Sequence, residues 1–106
     1  NGNALVSSNS ATAPSTSQLT IDSFSSSTYR SAKYYVQASH GTNYHVIELR
    51  VLHDGTTVYM MQYGEMYNNT SLGIFDAQVS GGLVNLLFTP VNSSTTVKLT
   101  RNALTI

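Results

Sequence analysis

The chain reads as all-β: an antiparallel β-sandwich of about seven strands, jelly-roll or immunoglobulin-like in style. Three observations lead there. From Gln18 onward the apolar residues recur with period two rather than 3.6, as half-buried strands require. Turn residues interrupt that pattern about every 8–12 residues. No window joins an N-cap, an apolar stripe and enough length to make a helix.

The first segment, residues 1–17 (NGNALVSSNSATAPSTS), is rich in Ser, Ala, Thr and Asn and has no sustained period. Alone it cannot bury enough apolar surface to offset its ordering entropy. It is expected to be an extended N-terminal arm on another subunit, anchored by Ala4, Leu5 and Val6. Residues 18–106 then form the sandwich domain. Strands are expected over 19–24, 32–39, 44–53, 56–63, 73–79, 83–89 and 95–101, with the connectors carrying Ser, Gly, Asn and Pro. Asp54-Gly55 between two β-rich runs is the strongest short hairpin signal, because type I′ turns need positive φ at both central positions.

Two tight turns predict a register. A two-residue turn at Asp54-Gly55 pairs His53 with Thr56 and Leu49 with Met60. A three-residue loop over Gly41, Thr42 and Asn43 pairs His40 with Tyr44 and Tyr34 with Arg50. One face then carries Tyr35, Ile47, Leu49, Val51, Val58 and Met60. The other carries Tyr34, Val36, Val46, Glu48, Arg50, Leu52, Tyr59, Met61 and Tyr63. Both faces are largely apolar, so both want a cover. Tyr adds interface area at small entropic cost, and seven tyrosines occur with no Trp. Leu5, Val6, Tyr34, Glu48, Arg50, Tyr59 and Tyr63 are therefore the candidate interface residues. Arg50 is expected to pair with Glu48 between the Tyr34 and Tyr59 rings.

Composition bounds the function. With 106 residues the chain is one domain. Charged residues are only 9%, against about a quarter in ordinary domains, so Ser, Thr, Asn and Gln supply the polar surface. The five basic residues are scattered and net charge is zero, which disfavours nucleic-acid binding. Cys is absent, removing disulfides and thiolate metal sites. No run approaches the roughly 20 apolar residues of a membrane-spanning helix. The chain starts at Asn1 with no signal peptide, so residue 1 is expected to be a processed terminus or the start of a fragment.

Catalytic and metal constellations are weak. His45 and His53 lie on one expected strand about 27 Å apart, too far to share an ion. His40 and His45 fall on opposite faces. All three are expected to be polar residues flanking turns. Among the carboxylates, Asp54 belongs to its turn and Glu48 to Arg50, while Glu65 and Asp76 remain as an unsupported glycosidase-like pair. There is no Gly-x-Ser-x-Gly elbow and no phosphate-cradling Gly loop. No enzyme activity, metal or cofactor is expected.

Several short motifs occur in a fixed order. They are Thr28 to Gln37 (TYRSAKYYVQ), Tyr44-His45-x-x-Glu48, His53 to Tyr59 (HDGTTVY), Tyr63-Gly64, and Thr89-Pro90 followed by Val97-Lys98-x-x-Arg101. In this order they resemble virion structural modules of tailed phages, especially those infecting marine and freshwater cyanobacteria. The resemblance spans about Phe24 to Arg101. It implies a non-enzymatic virion structural protein, expected foremost as a capsid decoration (cement) protein located in the virion. Its partners would be its own copies and the major capsid or other virion proteins, with neither nucleic acid nor membrane. The alternative is a neck, tail or fibre domain, or a carbohydrate-binding or adhesive module.

Overall fold

Alternating burial along the strands at residues 29–40, 43–53, 73–80 and 96–105 explains why this chain forms two stacked sheets. The structure, a computed structural model, describes residues 2–106; Asn1, expected as a processed terminus, lies outside the described residues. Eight strands follow in order: β1 (Ala4–Thr12), β2 (Leu19–Ser25), β3 (Tyr29–His40), β4 (Asn43–His53), β5 (Val58–Tyr67), β6 (Gly73–Ser80), β7 (Leu83–Pro90) and β8 (Thr96–Thr105). They form a five-stranded sheet, β1-β8-β3-β4-β5, and a three-stranded sheet, β2-β7-β6. All pairings are antiparallel, and no helix occurs among the described residues. The predicted sandwich is the observed fold, with the β3-β4-β5 meander in one sheet.

The inward faces of β3, β4 and β8 bury Tyr34, Val36, Ile47, Leu49, Val97 and Leu99 against Ile21, Phe24, Leu86 and Phe88 of the other sheet. Phe75 and Phe88 stack at 4.8 Å between centroids. Apolar burial of this kind contributes roughly 25 cal/mol per Å², and in a domain lacking disulfides it is the main support of the fold.

Three local expectations need correction. The N-terminal segment is not an arm on another chain: Ala4 to Thr12 pair residue for residue with Leu104 to Thr96 as an edge strand. Its backbone hydrogen bonds substitute for the side-chain burial that its Ser-rich sequence cannot supply. Ala13 continues the tie through reciprocal backbone bonds to Thr95 and Ser94.

The β3–β4 loop has two residues, not three, since His40 pairs with Asn43. Gly41 takes φ 60° at the first central position, as a type II′ turn demands and as only Gly adopts freely. A one-residue change of register exchanges faces. Tyr34, Val36 and Ala38 therefore point into the core with Ile47 and Leu49, and Tyr35 points out.

The β4–β5 connection is longer than the predicted Asp-Gly turn: His53 pairs with Val58. Asp54 Oδ1 accepts the Thr56 and Thr57 N–H groups at 3.1 and 2.9 Å, closing an Asx-type turn. The slip is two residues, so face assignments on β4 and the start of β5 survive. These N–H donors hold the Asp54 carboxyl below its ordinary range. A depressed value means the contribution to turn stability is present above the ordinary carboxylate range and is lost as pH falls through the folded value. Titration of the Thr56 and Thr57 amide proton shifts is expected to report a midpoint below that of an unstructured aspartate. A midpoint at or above the unstructured value would contradict the turn assignment.

Candidate functional site

Interior polar groups are tied down in three places, which decides where an active surface can lie. Asp22 reaches inward because β2 carries a bulge between Thr20 and Asp22. Its Oδ2 accepts from the Tyr34 hydroxyl at 2.9 Å and from Arg101 at 2.7 Å. Arg101 also donates to the Ser23 carbonyl at 2.7 Å and lies 5.9 Å from the Phe24 ring centroid. Burial and the neighbouring Asp22 push the Tyr34 hydroxyl far above the ordinary phenol range, so it serves as a fixed donor. This cluster binds β2 to β3 and β8 and thus locks the two sheets together.

The two strand-end histidines of β4 form the other ties. The Gly55 N–H donates to His53 Nδ1 at 3.0 Å, leaving Nε2 to donate to the Tyr29 carbonyl at 2.6 Å. The Leu72 N–H donates to His45 Nδ1 at 3.1 Å, and Nε2 faces Glu65 Oε2 at 2.8 Å. Glu65 reaches that position through a bulge in β5, where Gly64 has φ 65°. Both imidazoles are buried; His53 does flank the Asp54 turn, as the sequence suggests, and burial is what the turn-flanking expectation leaves out. His53→Phe keeps the bulk and strips both hydrogen bonds, so it is expected to cost about 1–3 kcal/mol in urea unfolding. A loss within error of zero would show that the latch does not support the fold.

The remaining candidate surface is the outer face of the five-stranded sheet. Cross-strand registers place its residues in rows. One row is Leu52, Ser31, Leu104 and Tyr59; the next is Arg50, Lys33, Asn102 and Met61; then Glu48, Tyr35, Thr100 and Tyr63; then Val46, Gln37, Lys98 and Met66. Met61 is 60% exposed, and Leu52, Leu104, Tyr35, Tyr59 and Met66 are also open. Leu52, Tyr59, Met61 and Leu104 line an open groove of about 650 Å³. Contiguous apolar surface of this kind marks an interaction site in a folded domain.

The predicted interface residues divide. Glu48, Arg50, Tyr59 and Tyr63 share this outer face, as expected. Tyr34 does not: it is 1% exposed in the core, because of the one-residue register change in the β3–β4 loop. Arg50 does not bridge Glu48, whose carboxylate lies 3.6 Å from Lys33. The Arg50 guanidinium sits 5.5 Å from the Tyr63 ring centroid instead. The Tyr63 hydroxyl is buried with no hydrogen-bond partner among the described residues. Tyr59 makes a long 3.5 Å contact to Asp54. Val6, 71% exposed, joins the same face at the β1 edge beside Asn102, while Leu5 pairs with Ala103 and is partly open.

Among the described residues no cluster of three or more His, Cys, Asp or Glu is placed to hold a metal ion. No helix there is long and apolar enough to cross a membrane.

No protein-family model matches the chain, and no curated protein matches it by sequence. Solved structures do match its fold. The tailspike protein of Acinetobacter baumannii phage AM24 aligns over 97% of this chain with a TM-score of 0.58 and 10% identity. The tailspike protein of Acinetobacter phage vB_ApiP_P1 aligns over 93% with a TM-score of 0.59 and 19% identity. The chain spans only 26% and 21% of those proteins' lengths, so the likeness is to a part of each.

Proposed function

We propose that this chain is a structural domain of a tailed-phage virion, part of a tail appendage of the tailspike or fibre kind, which works by packing its outer five-stranded face against another protein chain. The observation carrying this reading is the open apolar face itself, in a domain whose buried Asp22, Tyr34, Arg101, His45 and His53 are tied down inside the fold. The order of motifs that resembles phage virion modules supports it, as does the fold shared with domains of two phage tailspikes. Those tailspike folds favour a tail appendage over the capsid decoration layer expected from sequence, and they offer no support for a cyanobacterial host.

The domain itself performs no chemistry in this reading. Of five carboxylates, Asp22 holds Tyr34 and Arg101, Asp54 holds its turn, Glu48 lies by Lys33 and Glu65 by His45. Asp76 accepts the neighbouring Ala77 N–H at 2.8 Å.

Gold-labelled antibody raised against the domain is expected to mark the tail of purified particles in electron micrographs. Label spread over the capsid would return the decoration reading. The isolated domain is expected to release no reducing ends from host capsular polysaccharide; measurable release would overturn the non-enzymatic part.

A further inference from the structure

The sequence holds a single Asp-Gly step, Asp54-Gly55, and such a step has a reaction of its own. Glycine has no side chain to shield its amide, so the Gly55 nitrogen can attack Asp54 Cγ. A C–N bond forms, the Cγ–OH bond breaks, and the hydroxyl leaves as water with the amide proton. A five-membered succinimide remains, and one water opens it at either carbonyl. One opening restores Asp. The other leaves isoaspartate, whose main chain runs through Cγ and is one carbon longer at unchanged mass.

Steric crowding does not protect this site. Residues 54–57 are all exposed, and nothing lies within 4 Å of the position a Gly55 Cβ would take. Hydrogen bonds restrain both reacting groups instead. The nucleophile is tied back, because the Gly55 N–H donates to His53 Nδ1 at 3.0 Å. The imidazole is itself fixed: it is 1% exposed, its Nε2 donates to the Tyr29 carbonyl at 2.6 Å, and its centroid lies 6.4 Å from that of the Phe24 ring. The electrophile is turned forward, with Asp54 Oδ1 accepting the Thr57 and Thr56 N–H groups at 2.9 and 3.1 Å and the Thr56 hydroxyl at 3.3 Å. The same donors hold the carboxyl below its ordinary range, in the ionised form that has no hydroxyl to lose.

We propose that Asp54-Gly55 is a latent isomerisation site, which His53 holds closed as a positioning residue by keeping the Gly55 amide away from the Asp54 carboxyl. Its position makes the restraint consequential. Leu52 and Tyr59 are cross-strand partners on either side of this turn, and both line the open groove. An extra main-chain carbon at residue 54 would break the Asx-type turn and shift the two side chains against each other. The site therefore guards the alignment of the outer face, whatever that face meets.

Prolonged incubation of the full chain at neutral pH, below its melting temperature, tests this. Peptide mapping with electron-transfer fragmentation counts isoaspartate at residue 54, since it separates the two isomers of equal mass. Attack requires the folded chain to give up two or more hydrogen bonds. It is therefore expected to isomerise about 30-fold or more slowly than a free peptide of residues 51–60. His53→Phe removes the acceptor and should speed the reaction about five- to tenfold over the parent. Gly73→Ala strains the fold far from this turn; as the control for simple unfolding, it should age at the parent's rate. A parent that ages as fast as the peptide would overturn the proposal, and that comparison stands whether or not the His53 variant folds. So would His53→Phe ageing at the parent's rate, or Gly73→Ala ageing as fast as His53→Phe.

Discussion

Arg101→Ala is expected to destabilise the domain by about 3–5 kcal/mol, the cost of removing one partner from a buried ion pair. Arg101 and Asp22 keep only 11% and 10% of their side-chain surface exposed, so solvent cannot take over the missing role. The substitution leaves the Asp22 carboxylate between the sheets with the Tyr34 hydroxyl as its remaining side-chain donor, and it removes the donor to the Ser23 carbonyl. It also strips the guanidinium from the Phe24 ring. The double variant Asp22→Leu/Arg101→Met removes both charges and is expected to recover most of the loss, since apolar replacement of a buried pair is often neutral. Urea unfolding of the parent, the single and the double variant separates the terms. A single-variant cost under about 1 kcal/mol, as for an exposed pair, would mean that the cluster is solvated.

Gly73→Ala should be nearly as damaging for a purely steric reason. Gly73 opens β6 opposite Pro90. A Cβ there would stand 2.5 Å from the Thr89 carbonyl oxygen and 2.5 Å from Phe88 Cε1. The first obstacle is backbone and the second a fully buried ring, so neither can yield cheaply. Overpacking of this kind costs about 1–3 kcal/mol, occasionally more. The shift should also disturb the Phe75–Phe88 stack. Gly81→Ala is the contrast on packing: nothing lies within 4 Å of its Cβ position, although its φ of 60° favours glycine. Thermal melts of both variants decide the point. A Gly73→Ala melt equal to the parent would refute the close approach.

Much of this architecture is legible in the residues. The run His45, Ile47, Leu49, Val51, His53 alternates inward without a break, so the period alone could have placed both histidines in the core. The spacing of Leu19, Ile21 and Phe24 changes parity midway, which is the trace of the β2 bulge that turns Asp22 inward. Arg101 follows Val97 and Leu99 on the buried phase of β8, and its inward position is readable in the same way. What the pattern could not give is loop geometry. Gly41-Thr42-Asn43 permits a two- or a three-residue loop, and the choice moves every β3 side chain to the other face. Nor could it give β1, whose Ser-rich sequence has no buried stripe and is held by backbone pairing to β8 at the far end of the chain. The outer-face grouping of Glu48, Arg50, Tyr59 and Tyr63 was legible because it depends only on β4 and β5, where the register slip was even.

A reconstruction of the assembled particle, at a resolution that resolves side chains, tests the central claim most directly. The account predicts this sandwich in a tail appendage, with Leu52, Tyr59, Met61 and Leu104 buried against another chain. A domain seated on the capsid exterior, or one in the tail whose five-stranded face is open to solvent, would contradict it.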